Sequence, residues 1–138
     1  MNLIKFLTIF SILALTYYKS LPMKDIDINI KGKKINVYLG DNILSRNKGL
    51  KGKVKINKGM LFVYTEKDIR SFWMKDTRED LIIYFINSEG IILEKYKMIK
   101  ESENIIKSKN KVRYVLEMPA NMDISKNLKI GEKIVILH

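Results

Sequence analysis

LIIYFINSEGIILEKYKM, residues 81–98, is the stretch that decides the fold. Its first seven residues are nearly all apolar and rich in β-branched and aromatic types, as in a strand that is buried on both faces. Asn87-Ser88-Glu89-Gly90 is typical of a tight turn, so residues 91–98 should return antiparallel to the first strand. The stretch therefore predicts a hairpin whose first strand lies inside a sheet.

Alternation of apolar and polar residues predicts more strands on both sides of this hairpin. The first pair, 26–30 and 35–39, is separated by a turn at Gly32, and further strands are expected at 59–64, 72–75, 112–118 and 133–137. Two short helices fit at 42–48, with Asp41 as N-cap, and at 121–128. Because strands do not alternate with helices, we expect an all-β, mostly antiparallel fold, a compact jelly-roll-like sandwich or barrel with one or two short helices.

The composition indicates a single domain after an N-terminal segment. The 138 residues suffice for one core, and we assign residues 23–138 to one β domain that we expect to be monomeric. The net charge is +11, but only four of the 26 basic residues are arginines, and these are scattered. Bidentate recognition of phosphates and base edges depends on arginine geometry, so nucleic acid is not an expected partner.

Cysteine is absent and the sole histidine is the last residue, His138. This excludes disulfides, thiolate nucleophiles and Cys/His zinc sites, and it argues against a Ser-His-Asp triad. We expect no cofactor and no metal. Any chemistry would depend on carboxylates, lysine, tyrosine or serine.

Residues 1–22 read as an export segment. Lys5 supplies a positive start, an apolar run follows over 6–18, and Pro22 ends it. The run is shorter than the ~20 residues that span a bilayer, so we expect a cleaved signal peptide and a periplasmic or extracellular protein. A poor cleavage site leaves open an uncleaved anchor, with residues 3–18 as the only membrane contact, and a buried N-terminal helix is the third alternative.

The segment Phe72-Trp73-Met74-Lys75-Asp76-Thr77 carries the strongest functional signal. On a regular strand, Trp73 and Lys75 would project to one face and Asp76 to the core. A buried Asp76 needs a cation, and Arg46 or Arg113 would complete a structural polar network.

A candidate binding cleft follows from the other face of this strand. Trp73 and Lys75 would lie there with Ser108 and Glu117 from neighbouring segments, and Lys75 would pair with Glu117. A tryptophan beside hydrogen-bonding groups is a platform for sugar rings and other flat ligands. The alternative is a tryptophan that only covers one end of the barrel.

Several motifs together resemble one family, the domain of unknown function 192. They are Arg46-x-x-Gly49-Leu50, Gly59-Met60-Leu61-Phe62-Val63, Phe72 to Thr77, Ser108, Arg113-Tyr114-Val115-Leu116-Glu117 with Ala120, and Gly131-Glu132. The resemblance covers about residues 35–137 and implies a compact, mostly antiparallel β fold, often behind an export signal. It implies no established reaction, ligand or cofactor. Asp76 stands where the family typically has asparagine, and Ile82 where it typically has a carboxylate.

Three functional hypotheses remain, and whether the protein is an enzyme stays open. The first is a noncatalytic envelope module that binds a small molecule, glycan or envelope protein through the cleft near Trp73. The second is a hydrolase or lyase acting on envelope glycans, with Asp76 and Glu117 as acid and base about 5 to 9 Å apart. The third is a structural or assembly factor without a pocket.

Overall fold

The computed structural model describes residues 2–20 and 22–138 and contains three helices and nine strands in those ranges. The helices are α1 (Leu3–Ser20), α2 (Ile43–Lys48) and α3 (Asp123–Asn127). The strands are β1 (Asp25–Ile30), β2 (Lys33–Gly40), β3 (Met60–Asp68), β4 (Ser71–Phe72), β5 (Leu81–Ile86), β6 (Ile92–Met98), β7 (Ile106–Lys107), β8 (Val112–Pro119) and β9 (Ile134–Leu137).

Seven of these strands form one mixed sheet in the order β6-β5-β8-β3-β2-β1-β9. Every neighbouring pair is antiparallel except β2 and β3, which run parallel. The connection between that parallel pair contains α2 and the lysine-rich loop, as a crossover requires. Strands β4 and β7 form a separate two-stranded ribbon.

The sheet curls until its two end strands meet at one corner. Ile91, just before β6, bridges Lys133, just before β9. The Ile134 N–H donates to the Gly90 carbonyl at 2.9 Å, and the Ile92 N–H donates to the Glu132 carbonyl at 3.0 Å. These bonds join the two edge strands at one corner only, so the curled sheet is a half-barrel rather than a closed barrel.

Two apolar clusters lie on opposite faces of this sheet. Strand β5 contributes to both, because Tyr84 belongs to the cluster with Leu61 and Leu116, whereas Phe85 belongs to the cluster with Phe62 and Val115. All six residues of β5 are buried. This burial explains the continuous apolar run from which the central strand was predicted.

The mostly β architecture and both predicted hairpins are confirmed, whereas jelly-roll connectivity is not. The predicted strand 72–75 is wrong after Phe72, since a turn begins at Met74. The predicted N-cap of α2 is also displaced by one residue. Asn42, rather than Asp41, accepts the hydrogen bond from the Ser45 N–H.

Helix α1 covers most of the predicted export segment, and the described apolar side chains from Leu3 to Leu15 are exposed or half-buried. Met1 and Leu21 of that segment lie outside the described residues. Over residues 2–20 and 22–138, no helix has both the length and the apolar character that crossing a membrane requires. Signal cleavage, anchoring and export stay predictions.

Candidate functional site

A cleft of about 330 Å³ opens on the sheet face that carries Phe62 and Val115. Helix α2 and the residues after it form one wall, β3 and β8 form the floor, and the segment after β4 forms the other wall. We call this space the Trp73 cleft. Its functional side chains are Arg46, Lys51, Tyr64, Trp73, Thr77 and Glu117.

Helix α2 is only six residues long and is fixed by its caps. Asn42 and Ser45 form a reciprocal capping box at its N-terminus, and the Gly49 N–H donates to the Ser45 carbonyl at its end. Gly49 has a φ of +51°, which glycine adopts without steric penalty. Arg46 then fastens the helix to β3, because its Nη1 donates to the Val63 carbonyl at 3.0 Å.

The opposite wall is built by a turn from Met74 to Thr77. The Thr77 N–H donates to the Met74 carbonyl at 3.0 Å, and Asp76, the third residue of the turn, has a φ of +59°. Aspartate and asparagine tolerate this left-handed conformation better than most residues. The carbonyl of Asp76 accepts the Gly52 N–H at 2.9 Å, which joins the two walls of the cleft.

This turn corrects the predicted alternation of faces. Asp76 is exposed rather than buried, and neither Arg46 nor Arg113 pairs with it in the structure. Met74 and Thr77 are the buried residues of the segment, at 2 % and 4 % exposure. The reason is that a turn reverses the chain, so period-two alternation no longer applies after Phe72.

Aromatic rings line the cleft from its base to its rim. Phe72 packs edge-to-face against Phe62 at 5.0 Å and against Phe85 at 6.2 Å between ring centroids. Trp73 is 41 % exposed at the rim, with Lys75 Nζ 5.5 Å and Lys51 Nζ 5.9 Å from its ring centroid. The rim therefore presents a flat ring near two cations.

Glu117 lies at the floor, in the second half of β8, and is only 5 % exposed. Its strand neighbours are Met60 on β3 and Ile83 on β5, both fully buried and apolar. Burial raises the pKa of Glu117 to about 8, although the positive charge of Lys51 opposes that rise. Within the described residues its carboxyl group forms no hydrogen bond or ion pair, so it has capacity for a ligand.

Tyr64, a half-buried residue of the cleft lining, is surrounded by arginines. The guanidinium carbons of Arg70 and Arg46 lie 3.6 and 4.8 Å from its ring centroid, and Arg113 Nε donates to the Tyr64 carbonyl at 3.1 Å. Burial raises the pKa of the Tyr64 hydroxyl, against the effect of the two nearby arginines, so it stays protonated at neutral pH.

The structure brings together only two of the four residues predicted for the cleft. Trp73 and Glu117 line it, whereas Lys75 and Ser108 do not. Lys75 lies near Glu103, with 4.0 Å between the charged atoms, so its predicted pairing with Glu117 is wrong. The lysine whose charge acts on Glu117 is Lys51. The predicted polar network of Arg46, Asp76 and Arg113 does not form, because Asp76 is exposed and the two arginines bond to carbonyls of β3.

Ser108 has a structural position instead. Its hydroxyl accepts the Arg70 N–H at 2.9 Å and donates to the Asn110 carbonyl at 2.8 Å. These bonds tie the β7–β8 connection to the residue before β4. Its burial therefore reflects loop anchoring rather than a contact with the cleft.

Sequence reasoning missed Lys51 and Tyr64 as cleft residues. Lys51 lies in the lysine-rich loop after α2 and Tyr64 at the end of an apolar run, and neither position predicts a site. Lys51 reaches the cleft only through the β2–β3 crossover, and Tyr64 meets Arg46 and Arg70 only in the folded chain.

A structural carboxylate outside the cleft, Glu94, was also missed. It accepts the backbone N–H groups of Lys109 and Asn110 at 2.9 to 3.0 Å, the Asn110 side chain at 3.1 Å and the Tyr96 hydroxyl at 2.7 Å. Burial alone would raise the pKa of Glu94, but these hydrogen bonds outweigh it and lower the pKa. Glu94 is thus a fully satisfied carboxylate, unlike Glu117.

Among residues 2–20 and 22–138, no group of three histidine, cysteine, aspartate or glutamate side chains is close enough to hold a metal ion. In that part of the chain, Glu117 is also the only acidic side chain in the cleft wall. The site therefore combines one buried carboxyl group, two basic side chains and an aromatic wall.

Comparisons with known proteins identify relatives but no activity. A proposed transcription regulator from Sinorhizobium meliloti 1021 has a similar structure, with a TM-score of 0.77 and 26 % identity over 85 % of this chain and 97 % of that one. A protein of unknown function from Novosphingobium aromaticivorans DSM 12444 shares the fold, with a TM-score of 0.68 and 17 % identity over 85 % of this chain and 94 % of that one. No curated protein matches the chain.

The family assignment rests on a match to most of the β domain. The model of the domain of unknown function 192 family, described as an "Uncharacterized ACR", matches residues 26–136. That range contains every strand of the Trp73 cleft and both of its walls. The chain belongs to the domain of unknown function 192 family.

Proposed function

We propose that this protein is a noncatalytic, exported module that binds a small molecule or a glycan in the Trp73 cleft. The observation that carries the proposal is a concave space in which an exposed tryptophan and two basic side chains face a buried carboxyl group that has no partner among the described residues. A few converging polar groups on an aromatic wall are the usual composition of a ligand site.

The sole tryptophan provides a direct test of this proposal. Ligand binding beside Trp73 changes its fluorescence, so peptidoglycan fragments, oligosaccharides and fractionated envelope extracts are titrated against residues 23–138 and checked by calorimetry. We expect at least one fraction to bind with a saturable change. Silence in both measurements across all three sources would contradict a ligand-binding function.

Two variants locate the binding in the cleft. Lys51→Met removes a basic group from the wall, and Lys55→Met changes a matched exposed lysine of the same loop that lies outside the wall. We expect the first to weaken binding and the second to leave it unchanged. Equal affinity in both variants would place the ligand elsewhere on the protein.

Export is a separate part of the proposal and has its own support in the apolar segment 3–18. Expression of the full chain, followed by cell fractionation and N-terminal sequencing of the product, tests it. We expect a periplasmic or secreted product that begins near residue 23. A full-length product in the cytoplasm would contradict export, and a full-length product in the membrane fraction would support the uncleaved anchor.

Catalysis on envelope glycans is the second candidate, and the cleft supports it less well. A two-carboxylate mechanism needs a second acid in the site, whereas Asp76 is an exposed turn residue outside the described cleft wall. Glycan turnover that is lost in Glu117→Gln would favour an enzyme. A pocket-free assembly factor is supported still less, because the surface beside Trp73 is concave.

The name of the Sinorhizobium relative raises DNA binding as a further candidate. Three of the four arginines already bond to carbonyls of β3: Arg46 to Val63, Arg70 to Glu66 and Arg113 to Tyr64. Their guanidinium groups are therefore partly committed to the fold. DNA binding with a steep dependence on salt concentration would favour a regulator function for this protein. A protein that binds no DNA would leave the ligand-binding module as the proposed function.

A further inference from the structure

The electrostatics of the Trp73 cleft specify the charge of its ligand more narrowly than the proposed function does. Arg46 and Lys51 are the basic side chains of the wall, and they approach from α2 and from the loop that follows it. The Arg46 side chain forms one hydrogen bond, to the Val63 carbonyl, and Lys51 forms no ion pair within the described residues. Both therefore retain N–H donors for an anion.

Glu117 adds a second requirement on the ligand, a hydrogen-bond acceptor. The side chain lies at the floor between two apolar strand neighbours and is 5 % exposed. A buried carboxyl group without a partner is costly as an anion and acceptable as an uncharged acid. As an acid it presents an O–H donor to the cleft. A ligand oxygen with negative charge is the strongest acceptor for that donor.

We infer, as a refinement that rests on the proposed function, that the Trp73 cleft takes a small organic carboxylate, held by Arg46 and Lys51 and hydrogen-bonded to the Glu117 carboxyl group. The arrangement is a carboxylic acid and a carboxylate that share one proton, which avoids placing two negative charges side by side. The rings of Phe72 and Trp73 then contact the apolar part of the ligand. A sugar acid and an aromatic acid both satisfy this description.

Binding should consequently depend on the protonation of Glu117. Its pKa is raised to about 8, so the acid form predominates at neutral pH and is lost above that value. The other charged or titratable groups that face Glu117 are Lys51, Arg46 and Tyr64, whereas its neighbours on β3 and β5 are apolar. The raised pKa of Tyr64 keeps its hydroxyl neutral through this range.

The test uses small probes matched in shape and different in charge. Benzoate, benzamide and benzylamine are titrated against the full chain at constant ionic strength, with Trp73 fluorescence and calorimetry, and glucuronate is compared with glucose. We expect benzoate and glucuronate to bind about tenfold or more tightly than their neutral counterparts, because only they pair with both basic groups. Benzylamine should bind weakest.

Variants and pH then identify the groups responsible. Lys51→Met should weaken benzoate binding about tenfold and Lys55→Met should leave it unchanged. Benzoate should bind about tenfold more weakly at pH 9 than at pH 7, while Glu117→Gln should bind with no such pH dependence. Circular dichroism establishes that each variant is folded. Arg46→Lys keeps the charge but removes the planar guanidinium, and it should weaken benzoate binding less than Lys51→Met does.

The outcomes separate this inference from the proposed function. If benzamide or benzylamine binds as tightly as benzoate, the carboxylate ligand is wrong and the binding module stands. If neither benzoate nor glucuronate binds at millimolar concentration, the inference is overturned even when an envelope fraction binds. If no envelope fraction binds either, both the inference and the proposed function are contradicted.

Discussion

At the scale of single residues, Glu94 and Glu117 show how environment decides what a carboxyl group does. Both are buried, at 6 % and 5 % exposure. Glu94 receives hydrogen bonds from Tyr96, Lys109 and Asn110, which lower its pKa, whereas Glu117 faces the cleft with a raised pKa. The first carboxyl group stabilises the fold as an anion, and the second is available to a ligand as an acid.

The raised pKa of Glu117 predicts a stability that falls as pH rises. The unfolded chain releases this proton near pH 4.5, but the folded chain keeps it until about pH 8. Between those values the folded state binds more protons, so the free energy of unfolding falls with pH by up to several kcal/mol and then levels off. Urea denaturation of residues 23–138 from about pH 5 to pH 8.5 measures this slope.

Glu117→Gln is the matching variant, because the amide cannot ionise. We expect the free energy of unfolding of Glu117→Gln to lack this dependence on pH. At about pH 8.5 it should exceed that of the unmodified protein by at least 1 kcal/mol. Glu94→Gln is the control of opposite sign, since it removes an anion that accepts several hydrogen bonds and should destabilise at neutral pH. An unchanged slope in Glu117→Gln would show that Glu117 does not titrate in this range.

At the scale of elements, the segment from Phe72 to Thr77 is a strand end joined to a turn. Strand β4 is two residues long, and the Met74–Thr77 turn then brings Thr77 into the cleft wall. The positive φ of Asp76 gives a physical reason for the asparagine that the family resemblance implies at this position, since both residues tolerate that conformation.

Substitutions of Asp76 separate backbone conformation from charge. If φ is what matters, Asp76→Asn and Asp76→Gly should leave the free energy of unfolding nearly unchanged, and Asp76→Ala should lower it by about 1 kcal/mol. If Asp76 instead belonged to an ion-pair network, Asp76→Asn would destabilise the protein as much as Asp76→Ala. Urea unfolding of the three variants at pH 7 decides between these outcomes.

At the scale of the whole molecule, closure of the half-barrel depends on a close approach at Gly90. The Ile134 N–H donates to the Gly90 carbonyl, and a Cβ added at Gly90 would overlap the Ile134 carbonyl oxygen. Gly90 also has a φ of +84°. A residue other than glycine would therefore strain the turn and push the two end strands apart.

Gly90→Ala and Gly32→Ala are a matched pair for this closure. Gly32 has a similar φ of +80°, but nothing lies within 4 Å of a Cβ added there. We expect Gly32→Ala to lower the free energy of unfolding by about 1 kcal/mol and Gly90→Ala by about 1–3 kcal/mol more. Hydrogen exchange at Ile134 should also accelerate in Gly90→Ala alone, and equal effects of the two variants would contradict the closure.

The sequence by itself determined the β class, the two hairpins and the family. These follow from neighbours in the chain: the apolar run of β5, the Asn87–Gly90 turn and the alternation over β1 and β2. The export segment and its proposed fate also come from the sequence. Local patterns suffice here because hairpins pair residues that are close in sequence.

Only the tertiary structure decided which side chains meet at the site. The parallel crossover between β2 and β3 carries α2 and Lys51 over Glu117, and the turn after Phe72 removes Asp76 from the core. The crossover depends on pairing between segments far apart in the chain. The turn has a local hydrogen bond, but it is also held by distant residues, since the Met74 N–H donates to the Ser102 carbonyl and the Gly52 N–H to the Asp76 carbonyl. For the same reason the charge of Glu117 could not be read from its strand, since its apolar neighbours Met60 and Ile83 are supplied by two other strands.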